Sequence, residues 1–154
     1  IEARVEKPRV EHPKRPVLGF GCPRSEVSGT RLWGWARNRF GTPEQFFGQF
    51  FVHNYCPLSF MGETGRNITP DKLAASDQAL LFEACDAALR DFVGVLRPRA
   101  LVGVGMFAEL RLRGVFPEFN GIVGRIPHPS PASPAANRGW AGAADEALAG
   151  LGLP

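Results

Sequence analysis

The stretch from Ile122 to Pro134 restricts the fold more than any other. Ile122, Val123 and Ile126 form a short apolar, β-branched run, the composition of a buried strand. The run ends at Pro127-His128, and further prolines follow at 129, 131 and 134. Each proline fixes its own φ, removes a backbone donor and pushes the preceding residue out of the helical region. Residues 127–134 can therefore continue neither a central strand nor a helix. The chain must leave the strand as a stiff, extended loop with a histidine at its root and the Ser130 hydroxyl just beyond. In α/β sheets ligands bind past the carboxyl ends of strands, and a loop with few free torsions loses little entropy when something docks on it. A rigid surface turn with a solvated imidazole is the other reading of this stretch.

Two more runs have strand character, residues 50–54 and 100–105. Helical segments separate all three. Ser28 is a candidate cap for a helix through Trp33 and Trp35 that ends at Phe40-Gly41, and Thr42-Pro43-Glu44-Gln45 reads as a short helix start. After a loop over 60–67 and a turn at Thr69-Pro70-Asp71, Ser76 is expected to cap the longest helix, over 77–96. Its Leu81, Cys85, Ala88, Leu89, Phe92 and Leu96 recur at i+3/i+4 spacing. Further helices are expected over 106–113 and from Ser133-Pro134 through Trp140 and Leu148. Residues 1–24 read as an extended basic leader. Strands near 50, 100 and 123 alternating with helices predict an α/β fold with a parallel sheet in one domain.

At 154 residues the chain is long enough to bury a core. No run approaches the ~18 apolar residues of a membrane span, and no signal peptide is visible. The chain begins with Ile1, so an upstream segment is expected. Cys22, Cys56 and Cys85 form no CxxC pair. They suggest neither a zinc site, nor a disulfide framework, nor an iron–sulfur cluster, but buried reduced thiols of an intracellular protein. A zinc site from His12, His53 and His128 would need a carboxylate or water in tight geometry. The formal net charge of +3, carried mostly by Arg, favours an anionic partner; biased base composition of the source genome would produce the same excess.

Gly103-Val104-Gly105-Met106-Phe107-Ala108 has the GxGxxA form of a dinucleotide fingerprint after a strand. No carboxylate ends the following strand, so the glycines are read instead as permitting close strand–helix packing. A small nucleotide-binding α/β domain is the alternative that this motif keeps open. His53-Asn54 ends the first apolar run as His128 ends the last. The Asn carboxamide presents an acceptor beside two donors, the complement of an imide edge such as uracil O4 and N3–H; anchoring a turn is its other use.

Glu26-Val27-Ser28-Gly29, Phe51-Val52-His53-Asn54 with Cys56-Pro57-Leu58, Gly65-Arg66-Asn67 with Thr69-Pro70, Val102-Gly103-Val104-Gly105, and His128-Pro129-Ser130-Pro131 with Ala136-Asn137-Arg138-Gly139-Trp140 occur in this order. So does Glu11-His12-Pro13-Lys14-Arg15-Pro16-Val17 before them. Across nearly the whole chain the set resembles the single-strand-selective monofunctional uracil-DNA glycosylases. The resemblance implies a three-layer α/β/α fold around a four-stranded parallel sheet, of which this chain would supply three strands. It implies hydrolysis of the N-glycosidic bond of uracil and 5-hydroxymethyluracil in single- and double-stranded DNA, with no metal or cofactor. The partner would be DNA carrying uracil or oxidised pyrimidines, met by a monomer inside the cell (the nucleus of a eukaryote, the cytoplasm of a bacterium). On the matching positions, Asn54 would read the uracil edge and His128 would donate to uracil O2. Pro129, Ser130, Pro131, Ala132, Ser133 and Arg138 would meet DNA where the base has left.

Two departures accompany the resemblance. The family's first conserved block, a strand followed by Gly-Met-Asn-Pro-Gly-Pro, has no counterpart in these residues. Its Asn positions the attacking water, and its strand lies inside the sheet. The chain, 1–154, therefore reads as one N-terminally truncated glycosylase-like domain, and a non-catalytic DNA-binding fragment is the rival reading. Second, Ala132 stands where the family often has an Arg to fill the gap left by the flipped base.

Overall fold

A computed structural model describes residues 5–154, apart from the side chain of Ala135. The chain divides into two compact units, residues 1–25 with 56–85 and residues 26–55 with 86–154.

The first unit holds more regular structure than the extended leader and plain loop expected of it. A bridge pairs His12 with Arg15, and a 3₁₀ turn spans Gly19–Gly21. Residues 1–4 of that leader lie outside the described residues. β1 (Phe60–Met61) and β2 (Asn67–Ile68) pair antiparallel. Their turn is closed by the Gly62 N–H donating to the Arg66 carbonyl at 2.9 Å. The Arg15 guanidinium donates to the Gly65 carbonyl at 2.9 Å, so a side chain from the leader holds the hairpin tip. Cys85 is buried, whereas Cys22 is exposed and Cys56 half-buried, so burial of all three thiols is corrected to one. Local strand propensity is weak across 60–68, and the ladder depends on tertiary closure that periodicity does not report.

The second unit carries the sheet. α1 (Val27–Phe40) starts one residue before the expected cap. Glu26, not Ser28, caps it, because its carboxylate reaches the N–H groups of Ser28 and Gly29. α2 (Pro43–Phe47) begins as expected, with the Thr42 hydroxyl accepting from the Gln45 N–H at 3.3 Å. The long helix, α3 (Ala75–Leu96), ends in this unit. β3 (Ala100–Val104), α4 (Met106–Val115) and β4 (Ile122–Ile126) follow. The last expected helix is broken in two. A 3₁₀ turn, Pro134–Arg138, stops at Gly139 in the left-handed region, and α5 (Trp140–Gly150) begins there.

β3 and β4 are parallel, with Ala100 opposite Ile122 and Val104 opposite Ile126. Alternation along each strand divides the core between two faces. Leu101 and Val123 pack with Leu89 of α3 and Leu112 of α4. Val102, Val104 and Ile126 pack with Trp35 and Ala36 of α1, Phe46 of α2, and Trp140, Ala144 and Leu148 of α5. The buried Trp35 indole satisfies its N–H on Asp145 at 2.7 Å, and Arg39 joins the same carboxylate at 2.6 Å.

The third expected strand is corrected. Residues 50–54 form no ladder, and β3 pairs only with β4 among the described residues. Their side chains nevertheless alternate as a strand's would. Phe50 and Val52 join one apolar cluster, Phe51 and His53 lie against Phe92, and Tyr55 joins the other cluster. Apolar alternation sets which face each side chain takes, but a ladder also needs a neighbouring backbone. Among the described residues no helix is long and apolar enough to cross a membrane.

Candidate active site

His128 stands just beyond the carboxyl end of β4. The strand is held to its end, where the Gly105 N–H donates to the Ile126 carbonyl at 2.9 Å. The loop then folds on itself. The His128 Nδ1 accepts from the Ser130 N–H at 3.1 Å. The Ser130 hydroxyl accepts from the Ala132 N–H at 3.2 Å, and the Ser130 carbonyl from the Ser133 N–H at 2.9 Å. With Nδ1 accepting, the neutral imidazole carries its proton on Nε2. The ring is exposed, so that N–H is a ready donor.

Gly105 makes room for this ring. Its φ is +90°, and a Cβ there would sit 3.0 Å from the His128 Cβ. Gly103 serves packing: a Cβ would lie 2.3 Å from the Glu109 backbone nitrogen in α4. The two fingerprint glycines are thus accounted for by a close strand–helix approach and by clearance for His128.

The first turn of α1 faces the same loop. The Glu26 carboxylate accepts from Ser28 N–H at 2.9 Å and Gly29 N–H at 2.5 Å. Partial burial pushes its pKa up, but these two bonds and the nearby His128 ring outweigh burial and hold it below the ordinary value. Farther along α1, Arg31 donates to the Pro129 carbonyl at 2.8 Å and to Asn137 Oδ1 at 3.3 Å. The Asn137 amide donates to the Pro131 carbonyl at 2.9 Å, and the Trp140 indole to the Pro127 carbonyl at 2.7 Å.

Asn54 is exposed between two anchored rings. The His53 ring lies 4.1 Å from that of Phe92; its Nε2 is buried and finds no hydrogen-bond partner among the described residues. The Tyr55 hydroxyl donates to Asp86 Oδ1 at 2.7 Å, and Arg111 pairs with the same carboxylate. Burial first, and then that hydrogen bond, raise the Tyr55 pKa well above its ordinary value. Val52 and Ile126, each two residues before its candidate site residue, share one apolar cluster with Val104.

The expected loop surface is only partly presented. Pro131, Ala132 and Arg138 are exposed and Ser130 and Ser133 half-buried, but Pro129 is buried, its carbonyl occupied by Arg31. His12 belongs to the other unit, where its Nδ1 accepts from the Lys14 N–H at 3.2 Å. Among the described residues no three His, Cys, Asp or Glu side chains gather as a metal site would require. Asn137 entered the sequence reading only within a matched motif, and no role was assigned to Arg31, Asp86 or Arg111. They act across long sequence separations, and no local pattern announces such partners.

No protein-family model matches the chain. Curated relatives do. A Bos taurus protein named single-strand selective monofunctional uracil DNA glycosylase is 52% identical over 153 residues, covering 97% of this chain and 56% of that protein. Proteins of the same name from Rattus norvegicus and Mus musculus are each 51% identical, with 56% and 54% of their lengths covered. The resemblance read in the motifs is borne out: over 97% of its length this chain is similar to single-strand selective monofunctional uracil-DNA glycosylases, and it spans about half the length of those relatives.

Proposed function

We propose that this chain carries the base-recognition and leaving-group half of a uracil-DNA glycosylase, a repair hydrolase that cleaves the N-glycosidic bond of uracil, and of 5-hydroxymethyluracil, in single- and double-stranded DNA. Its substrate is DNA bearing uracil or oxidised pyrimidines. It works as a monomer wherever the cell keeps that DNA, and it uses no metal or cofactor. The domain is completed by the family's first strand, seated against the open edge of β3 within a four-stranded, three-layer fold. The observation that carries the reading is the His128 ring, exposed beyond β4 with Nδ1 engaged by the Ser130 N–H at 3.1 Å.

The mechanism follows from the charges that develop. The target base must leave the stack, at a cost of a few kcal/mol that is lowest in single strands. The C1′–N1 bond then breaks toward an oxocarbenium-like sugar while the base departs as an anion. A neutral His128 with Nε2–H aimed at uracil O2 stabilises that anion as it forms. A pre-set donor of this kind contributes about 3–4 kcal/mol to the barrier. The Asn54 carboxamide reads O4 and N3–H. The exposed Pro131 and Ala132, with Arg138, meet the strand around the vacated position. The Asn of the family's Gly-Met-Asn-Pro-Gly-Pro block would hold the attacking water.

The test uses the intact protein with that block in place. His128→Leu should lower single-turnover uracil release by about 10²–10³-fold. Affinity for abasic DNA, which has no uracil O2, should change far less. A folded His128→Leu protein that releases uracil at the parent rate would remove His128 from the chemistry.

A further inference from the structure

Three alternating carbonyls of the proline loop, at Pro127, Pro129 and Pro131, each accept from a side chain. The donors are the Trp140 indole at 2.7 Å, the Arg31 guanidinium at 2.8 Å and the Asn137 amide at 2.9 Å. His128 sits between the first and second of these ties, and Ser130 between the second and third. The arrangement answers a problem that the sequence creates. A proline has no N–H, so its carbonyl is its only backbone hydrogen-bonding group, and a loop dense in prolines cannot tie itself down as a strand or helix does. Donors must come from elsewhere.

Trp140 is part of the apolar core, and its tie comes with the packing of α5. Arg31 and Asn137 are different. Neither belongs to an apolar cluster, and they are bonded to each other at 3.3 Å. One guanidinium therefore grips the loop and the residue that grips the loop again. A guanidinium suits this use because its donors lie side by side in one rigid plane. The loop segment they hold contains the Ser130 N–H, which is bonded to His128 Nδ1 and so orients the ring.

We propose that Arg31 and Asn137 form a clamp that positions His128, making both residues positioning residues for cleavage rather than groups that touch the base. The proposal rests on the glycosylase reading of His128 given above. Loss of the clamp leaves the imidazole in place on the chain but lets Ser130 and the ring reorient, so it acts on the chemical step through His128.

The experiment is a double-mutant cycle in the intact protein, with single-turnover uracil release at saturating protein and thermal unfolding as the fold control. Arg31→Ala should slow release by about 10- to 100-fold, the range for hydrogen bonds made by a charged group. Arg31→Lys, which keeps the charge but gathers its donors on a single nitrogen and so loses the planar fork, should fall between parent and Ala. In a His128→Leu background Arg31→Ala should cost little more, because residues acting as one unit are strongly non-additive. A parent rate for folded Arg31→Ala, or the same fold-loss in both backgrounds, would overturn the clamp. Amide exchange at Ser130 gives a readout that does not depend on activity. It should quicken at least several-fold in Arg31→Ala and in Asn137→Ala, and unchanged exchange in both variants would also overturn the clamp. If the parent releases no uracil, the glycosylase reading fails while Ser130 exchange still decides the clamp. If Arg31→Ala does not fold, Arg31→Lys and Asn137→Ala carry both measurements.

Discussion

At the scale of single residues, much of the site is an arrangement of small clearances. Gly105 shows this best. Its φ of +90° is one that side chains rarely adopt, and any Cβ would crowd the His128 Cβ at 3.0 Å. Gly105→Ala is therefore expected to do two things at once. It should destabilise the fold by about 1–3 kcal/mol through backbone strain, seen as a lower midpoint in urea unfolding. It should also shift the His128 ring resonances, since the ring must move to admit the methyl group. An unchanged midpoint with unchanged ring resonances would mean that the site has more slack than its geometry indicates. The role of the glycine pair was open in the sequence, because GxGxxA fits both a phosphate cradle and close packing. At Gly103 a Cβ would collide with the backbone of α4 at Glu109, which decides for packing there.

At the scale of elements, α1 is tied to the candidate site by its beginning. Glu26 caps its first turn and faces His128. Its folded-state pKa is depressed, so the stability it contributes is present above its unfolded-state value and is lost as pH falls through the lower folded value. The window therefore lies in the acid range, at and below the ordinary range of a glutamate. Glu26→Gln keeps an acceptor but removes the titration. Thermal unfolding of the parent followed downward from neutral pH should show a loss that the variant lacks, while at neutral pH the variant should already be less stable. Parallel pH curves for the two proteins would show that the cap does not couple to protonation. The sequence placed a cap within two residues of the true one. It could not choose between Ser28 and Glu26, because the choice depends on how the chain enters the helix from the preceding loop.

At the scale of the whole chain, the second unit presents an open sheet edge. Gly105 N–H and Arg99 C=O both bond toward β4, so alternation turns the Val102 and Val104 N–H groups away from it. Nothing among the described residues pairs with that side of β3. In the isolated chain the amides of Val102 and Val104 are expected to exchange faster than those of Leu101 and Gly103, by tenfold or more. Equal protection at all four positions would show that the edge is covered. The sequence by itself determined β4 at 122–126, β3 to within one residue, the short helix after Thr42 and the proline loop, because each is dictated by local composition and steric rules. It also determined, through motifs kept in order, the similarity to uracil-DNA glycosylases. Only the tertiary structure decided that residues 50–54 lack a ladder, that Gly139 divides the last helix, and that Arg31 and Asn137 hold the loop. Those outcomes depend on which backbones and donors meet across the fold, and a hydrogen bond spanning 98 residues, like that of Arg31 to Pro129, leaves no trace in the local pattern at either end.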